Sequence, residues 1–332
     1  MILSSKPWVI NLQNRGLTIL VLMAGCALFL WTGPGMAAEK KREETKKAPA
    51  RVVSAPEMKR IAVFQDRDGE RILRSPIALV RDPQNGDLLI TSFETGEVVI
   101  LDKGGSLVKR MGKEQGLVSP YGIAMDAKGK IYVGEVSTGF LKVFSAGGAL
   151  EDEIDLSKLM GKTVAPGRIT LDKDDRMYVV DLNSQSILVL DNKGNLVLSR
   201  GEFNYLQKAG AAGSDRFIGL SSQGTAVKAF NKAGAVLNSF GSHTDELEKS
   251  FSFPTGFAVD AKGRLWIADA FQHRLKVFSL DGKLLFNFGR LEEKTGGFFF
   301  PVDLCFGENG ELFVLEKGAN RLQVFQVGDL KQ

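Results

Sequence analysis

From about residue 60 to its end the chain is written in short runs of alternating apolar and polar residues, cut at close intervals by Asp, Asn and Gly. The stretch 253–289, FPTGFAVDAKGRLWIADAFQHRLKVFSLDGKLLFNFG, shows the pattern most clearly. Four β-type runs, 256–259, 264–268, 274–279 and 284–288, are separated by Asp260-Ala261-Lys262-Gly263, by residues 269–273 and by Asp281-Gly282. Period-two alternation rich in Val, Ile, Leu and Phe marks strands that are half buried. Asp and Gly supply the positive φ and the side-chain-to-backbone bonds that tight hairpins need.

The unit recurs along the chain. Residues 119–150 align with it without a gap, setting Pro120 on Pro254, Gly122 on Gly256, Asp126 on Asp260, Gly129 on Gly263 and Phe144 on Phe278. Further copies open at Pro76 (with one residue inserted in its first turn), Pro166 and Pro301. The opening prolines are spaced by 44, 46, 88 and 47 residues, and 88 is two periods, so a degenerate copy belongs between Pro166 and Pro254. Residues 216–234 supply it, with Phe230 matching Phe278 and Gly234 matching Gly282, while its first strand has lost the Pro and the Asp and reads LQKAGAAGS.

Six four-stranded antiparallel units with a period in the forties predict an all-β fold, a six-bladed β-propeller. One such unit cannot bury both of its faces, and stacking the blades around an axis does so. The sixth copy stops before a proper fourth strand, and an extra run, 60–64 (RIAVF), precedes the first copy, followed by a shorter one at 71–73. An N-terminal strand is therefore expected to complete the last blade, which removes the open sheet edges that invite aggregation.

These residues resemble the NHL repeat family, whose pattern runs roughly Pro-x-Gly-Ile-Ala-Val-Asp-x-x-Gly-x-Ile-Tyr-Val-Ala-Asp, then Asn-x-Arg-Ile-x-Val-Phe. Pro254 to Phe278 follows nearly all of it, with Gln272-His273-Arg274 in place of Asn-x-Arg, and Gly318-Ala319-Asn320-Arg321 keeps the Asn-Arg. Copy four departs from the pattern, and Ala78 and Asp303 replace the Gly in copies one and six. The resemblance covers about residues 60 to 330. It implies a propeller fold and, commonly, protein or nucleic-acid binding, and it fixes no partner.

The first 38 residues read as a signal peptide. A polar stretch with Lys6 and Arg15 precedes the apolar run 16–31, and Gly33-Pro34-Gly35 and Met36-Ala37-Ala38 follow with small residues for cleavage. The run is 16 residues long, shorter than the roughly 20 that comfortably span a bilayer. An uncleaved anchor, or lipidation at Cys26 in the weak lipobox Met23-Ala24-Gly25-Cys26, stands as the alternative. Residues 39–59 are charged and poor in aromatics, the composition of a flexible tether. The expected organisation is 1–38 signal, 39–59 tether and 60–332 propeller, in an exported protein of the periplasm or the cell exterior, membrane-bound only through that N-terminus.

Charge changes the picture little. The formal net charge is +4, and it falls to +2 without residues 1–38, so no electrostatic footprint for nucleic acid follows. Only Cys305 survives cleavage, which excludes an intrachain disulfide. The chain has two histidines, His243 and His273, and neither falls on an innermost strand. The metal-dependent peptide-amidating lyases, whose repeats are similar, need several axial histidines.

Strand order puts the second-to-third loops and the blade-to-blade connections on one face, called the upper face here. Variable loops on a rigid frame are where binding resides, so this face is the expected protein-binding surface. Its aromatic candidates are Phe93, Tyr121, Phe251, Phe253, Phe271, Phe298, Phe299 and Phe300, of which Phe93, Tyr121 and Phe271 are the interface candidates. Phe253 and Phe300, just before the opening Pro, read equally as plugs of the seams between blades. The second candidate group stands two residues after the opening Pro: Ala78, Gly122 and Gly256 are small there, whereas Arg168, Asp303 and, by alignment of the degenerate copy, Lys208 are charged. These residues are expected near the upper mouth of the axial channel, as ligand contacts or as an Arg–Asp pair that stiffens the ring. No cofactor is expected beyond Ca²⁺ held by channel carbonyls, since hard cations accept backbone oxygens. Asp126, Asp172, Asp181, Asp260 and Asp269 recur by copy, which marks turns and caps. Cys305 reads as a small buried residue of an innermost strand. The expected function is a non-catalytic binding or scaffolding module; the alternative is a lactonase-like metal-dependent hydrolase or lyase using Glu94, Glu135, Asn183 and Glu316.

Overall fold

The computed structural model describes residues 55–66, 71–242, 248–292 and 297–329. The expected signal peptide, the Cys26 lipidation site, most of the tether and His243 lie outside the described residues. Within them, 24 strands form six four-stranded antiparallel sheets, one per repeat. Blades one to five are the sheets of residues 76–111, 120–155, 166–200, 206–240 and 254–288, each in sequential strand order. The degenerate fourth copy therefore forms a blade like the others, opening at Leu206 where the rest open at Pro.

Blade six takes three strands from the C-terminal part of the chain, Pro301–Phe306, Glu311–Glu316 and Arg321–Val327, and its outermost strand is Met58–Phe64. The pairing is antiparallel, from Met58 opposite Val327 to Phe64 opposite Leu322, with one irregularity between Arg60 and Ala62. The closing strand expected at 60–64 starts two residues earlier, while 71–73 forms no strand. Phe64 is buried in the seam between blades six and one, among Leu79, Leu101, Phe313 and Val324. Five further clusters of Val, Ile, Leu and Phe fill the other seams, so the core of this protein is a ring of inter-blade layers.

The recurrent aspartates have the turn roles their spacing implied. Asp126 Oδ1 accepts from the backbone N–H groups of Lys128 and Lys130, and Tyr132 OH donates to its Oδ2. Asp172 repeats the arrangement with Asp174, Arg176 and Tyr178, and Asp260 with Lys262, Arg264 and Trp266 Nε1. Burial comes first and the carboxylate second in pushing the Tyr132 hydroxyl up to about 12.

Candidate functional site

The six innermost strands, one per blade, line the axis. Arg168 leaves its strand at the second position after the opening Pro and extends across the channel. Its Nη1 donates to the carbonyls of Gln207 (3.3 Å) and Thr255 (3.0 Å), and its Nη2 to those of Ile77 (2.8 Å) and Val302 (3.1 Å). One guanidinium thus gathers carbonyls from blades one, four, five and six. Its planar fork suits that task, which a single-point ammonium cannot perform. All four carbonyls thus accept from Arg168.

Asp303 and Lys208 complete the tier. Lys208 Nζ lies 2.6 Å from Asp303 Oδ1, and Arg168 Nε lies 3.9 Å from Asp303 Oδ2. Asp303 also accepts from the N–H of Leu79 at 3.1 Å, and all three charged residues are buried. The sequence placed Arg168, Lys208 and Asp303 together, and the structure joins them. The small residues at the same position have a geometric reason. A Cβ on Gly256 would stand 2.6 Å from Val302 O and 2.7 Å from Asp303 Oδ1, and one on Gly122 would stand 2.8 Å from Arg168 Cα. Glycine admits the neighbouring strand that carries the charge.

The upper-face aromatics separate into two groups and a remainder. Phe271, 56% exposed, stacks on Phe253 at 4.8 Å and meets Phe300 edge-on at 5.8 Å. Phe300 in turn packs on Phe299 (4.9 Å) and on His273 (4.6 Å), giving a continuous patch over blades five and six. Phe93, 47% exposed, makes an edge-to-face pair with Tyr121 at 6.1 Å. Phe251 and Phe298, placed on this face by sequence, are buried in the seams of blades four–five and five–six. The patch is fixed by backbone geometry: Phe300 N donates to His273 Nδ1 at 3.2 Å, and both residues hold positive φ, +52° and +53°. Burial lowers the His273 imidazole below its ordinary value, against a smaller upward pull from Asp269.

The carboxylates that close the second strands are structural clamps. Asp269 accepts from the N–H groups of Ser252 and Phe253, and Asp181 from that of Ala165. Glu135 and Glu316 hold the same position. Glu135 accepts from the N–H groups of Val118 and Ser119, while Glu316 takes Phe299 N, Arg321 and Gln323. Glu94 and Asn183 are exposed in upper loops. Among the described residues no group of three or more His, Cys, Asp or Glu is arranged to hold a metal ion.

One recurrent device escaped sequence reading. One aligned position of the third strand is Lys142, Lys228, Lys276 and Gln323 in blades two, four, five and six, and each reaches a carbonyl of the connection that enters its blade: Gly116, Glu202, Ser250 and Gly297. Burial, more than its charged neighbours, pulls Lys276 down to about 8. Alignment of Lys-Val-Phe, Lys-Ala-Phe and Gln-Val-Phe was the available signal. Cys305 is half buried on its inner strand, and burial first, then Asp303, pushes its thiol up to about 12.

Comparison with known proteins agrees with the architecture. The NHL repeat profile matches residues 251–278. "Protein brain tumor" of Drosophila melanogaster is 27% identical over 81 residues, which is 24% of this chain and 8% of the length of that protein. Virginiamycin B lyase from Staphylococcus aureus superimposes with a TM-score of 0.60 at 12% identity, over 81% of this chain and 99% of that one. A gluconolactonase from Xanthomonas campestris gives 0.61 at 15% identity, over 84% and 100%. At such identities the two structures establish a common fold and no common activity. With the six blades and the matched repeat together, the chain is a six-bladed β-propeller whose fifth blade carries a match to the NHL repeat.

Proposed function

We propose that this propeller is an exported, non-catalytic binding module that holds a protein partner on its upper loop face. The observation that carries the reading is the aromatic patch of Phe253, Phe271, His273, Phe299 and Phe300, with the Phe271 ring more than half exposed. Large rings on a rigid frame give contact area at low entropic cost, and such anchors dominate the energetics of many protein interfaces. The φ > 0 positions at His273 and Phe300 fix the patch before any partner arrives. Phe93 and Tyr121 supply a second contact on the same face. Arg168 and Asp303, offered by sequence as binding residues, serve this function by stiffening the ring beneath the loops.

The test is capture from the envelope of the source cell with the purified protein as bait. A discrete protein captured by the wild type and lost on Phe271→Ala supports the reading; Phe271→Ala is expected to weaken the contact by about tenfold or more, the scale of a buried aromatic anchor. Metal analysis and a lactone-hydrolysis screen are run beside it. Turnover abolished by a chelator and by loss of Glu94, Glu135 or Glu316 would replace the binding reading with a hydrolytic one.

A further inference from the structure

Two residues beyond the charged tier on each inner strand stand Val80, Ala124, Thr170, Gly210, Ala258 and Cys305, which line the channel together with Leu79 and Leu171. Every one is small or of middling size, and apart from the Thr170 hydroxyl, which donates to Ala209 O at 2.8 Å, and the Cys305 thiol, their side chains are hydrocarbon or hydrogen. Beneath Arg168, Lys208 and Asp303 the ring therefore encloses space: two adjoining cavities of about 160 and 200 Å³. The upper mouth is shut by the guanidinium and its four carbonyls. Val80, Thr170, Ala258 and Cys305 are partly exposed, so the chamber is reached from the opposite face, where the first-to-second turns lie.

The roof of this chamber is unbalanced in charge. Arg168 and Lys208 are both buried, and among the described residues Asp303 is the carboxylate within ion-pairing distance of either. Lys208 commits one of its three N–H groups to Asp303 and rests 5.6 Å above the Phe257 ring. Arg168 Nε is buried and makes no hydrogen bond. An unsatisfied buried donor and a buried excess of positive charge are both costly unless an anion meets them.

We infer that the lower axial chamber is a binding site for a small organic monocarboxylate. The carboxylate takes the N–H groups of Lys208 that Asp303 leaves free, and the hydrocarbon tail lies down the ring of small residues. A cavity of about 150 Å³ lined by apolar side chains accommodates a six-carbon ring, which sets the tail at about six carbons. The site is separate from the upper aromatic patch, and its success or failure says nothing about a protein partner there.

Titration calorimetry and thermal shift on the purified protein, in a chloride-free buffer, test this with hexanoate, butyrate, hexan-1-ol and added chloride as probes. Hexanoate is expected to release binding heat and to raise the midpoint by mass action, hexan-1-ol to do neither, and chloride to leave the hexanoate isotherm in place. Lys208→Met, which keeps the bulk and removes the ammonium, is expected to weaken hexanoate by about tenfold or more, a loss of about 1.4 kcal/mol. Ala258→Phe, which fills the chamber and leaves the roof intact, is expected to block binding, and it carries the test if Lys208→Met does not fold. The inference is overturned by a folded wild type that does not bind hexanoate, by undiminished binding to Ala258→Phe or to folded Lys208→Met, by hexan-1-ol binding as tightly as hexanoate, or by chloride displacing hexanoate at equal concentration.

Discussion

Lys208 and Asp303, separated by 95 positions and by the whole of blade five, meet at 2.6 Å in the axial channel. Asp303 is the counter-charge for two buried cations and the acceptor for Leu79 N, so it links blades one, three, four and six. Asp303→Ala should destabilise the fold by about 3–5 kcal/mol, because it leaves buried charges without a partner. The double variant Asp303→Leu with Lys208→Met should recover a large part of that loss. Urea unfolding of the wild type and both variants checks it; equal stability of Asp303→Ala and wild type would remove the tier from the account of ring stability.

Gly256 and Gly122 should tolerate no Cβ. Gly256→Ala sets a carbon 2.6 Å from Val302 O, and relief requires one inner strand to move away from the next. The expected loss is about 1–3 kcal/mol, the range for overpacked sites. Gly201→Ala, whose added carbon meets nothing within 4 Å, should leave the thermal midpoint unchanged and is the control.

Removing residues 55–64 should open the ring. The edge of Arg321–Val327 loses its partner, and the burial of Phe64 is lost with it, about 3 kcal/mol or more from that side chain alone. Calorimetry should show a lower midpoint, and light scattering coupled to gel filtration should show association through the exposed edge. A monodisperse product with an unchanged midpoint would contradict the closure.

Stability should fall as the medium is acidified through the histidine range. The His273 imidazole is lowered in the folded state relative to its ordinary value of 6.5, so the unfolded chain binds the proton first. This contribution is complete above pH 6.5 and is lost as pH falls from there through the lower folded value. His273→Asn keeps an acceptor for Phe300 N and a residue tolerant of positive φ, and it removes the titration. A thermal midpoint measured from pH 7.5 to 5 should slope less in that variant than in the wild type.

Much of this molecule was legible in its letters because each blade repeats the same turn chemistry. Asp at the first turn and Gly at the next fix where strands stop, and spacing alone located the degenerate fourth copy that lacks both the Pro and the Asp. The same spacing put Lys208 on the tier with Arg168 and Asp303. What spacing cannot show is reach: Arg168 bonds to residues 39 to 134 positions away, and nothing local marks an arginine that crosses an axis. Lys142, Lys228 and Lys276 were passed over because a lysine in an alternating strand reads as a solvated position, whereas here the blade's own incoming connection folds over it. Phe251 and Phe298 were misplaced for the converse reason. A phenylalanine in a connection reads as exposed or as a plug, and only the packing of neighbouring blades decides which.

The pairing of Met58–Phe64 with Arg321–Val327 also bears on the order of events during synthesis. The Met58–Phe64 strand must wait for the Arg321–Val327 strand, and Arg60 meets its hydrogen-bond partner Gln323 only 263 residues later. During that interval five complete blades can form with both flanks of the row uncovered, and closing so long a segment is slow compared with local hairpin formation. A nascent chain of this kind is vulnerable to mispairing with its neighbours until Arg321–Val327 is released, and any factor that shields free strand edges would act on it at that stage.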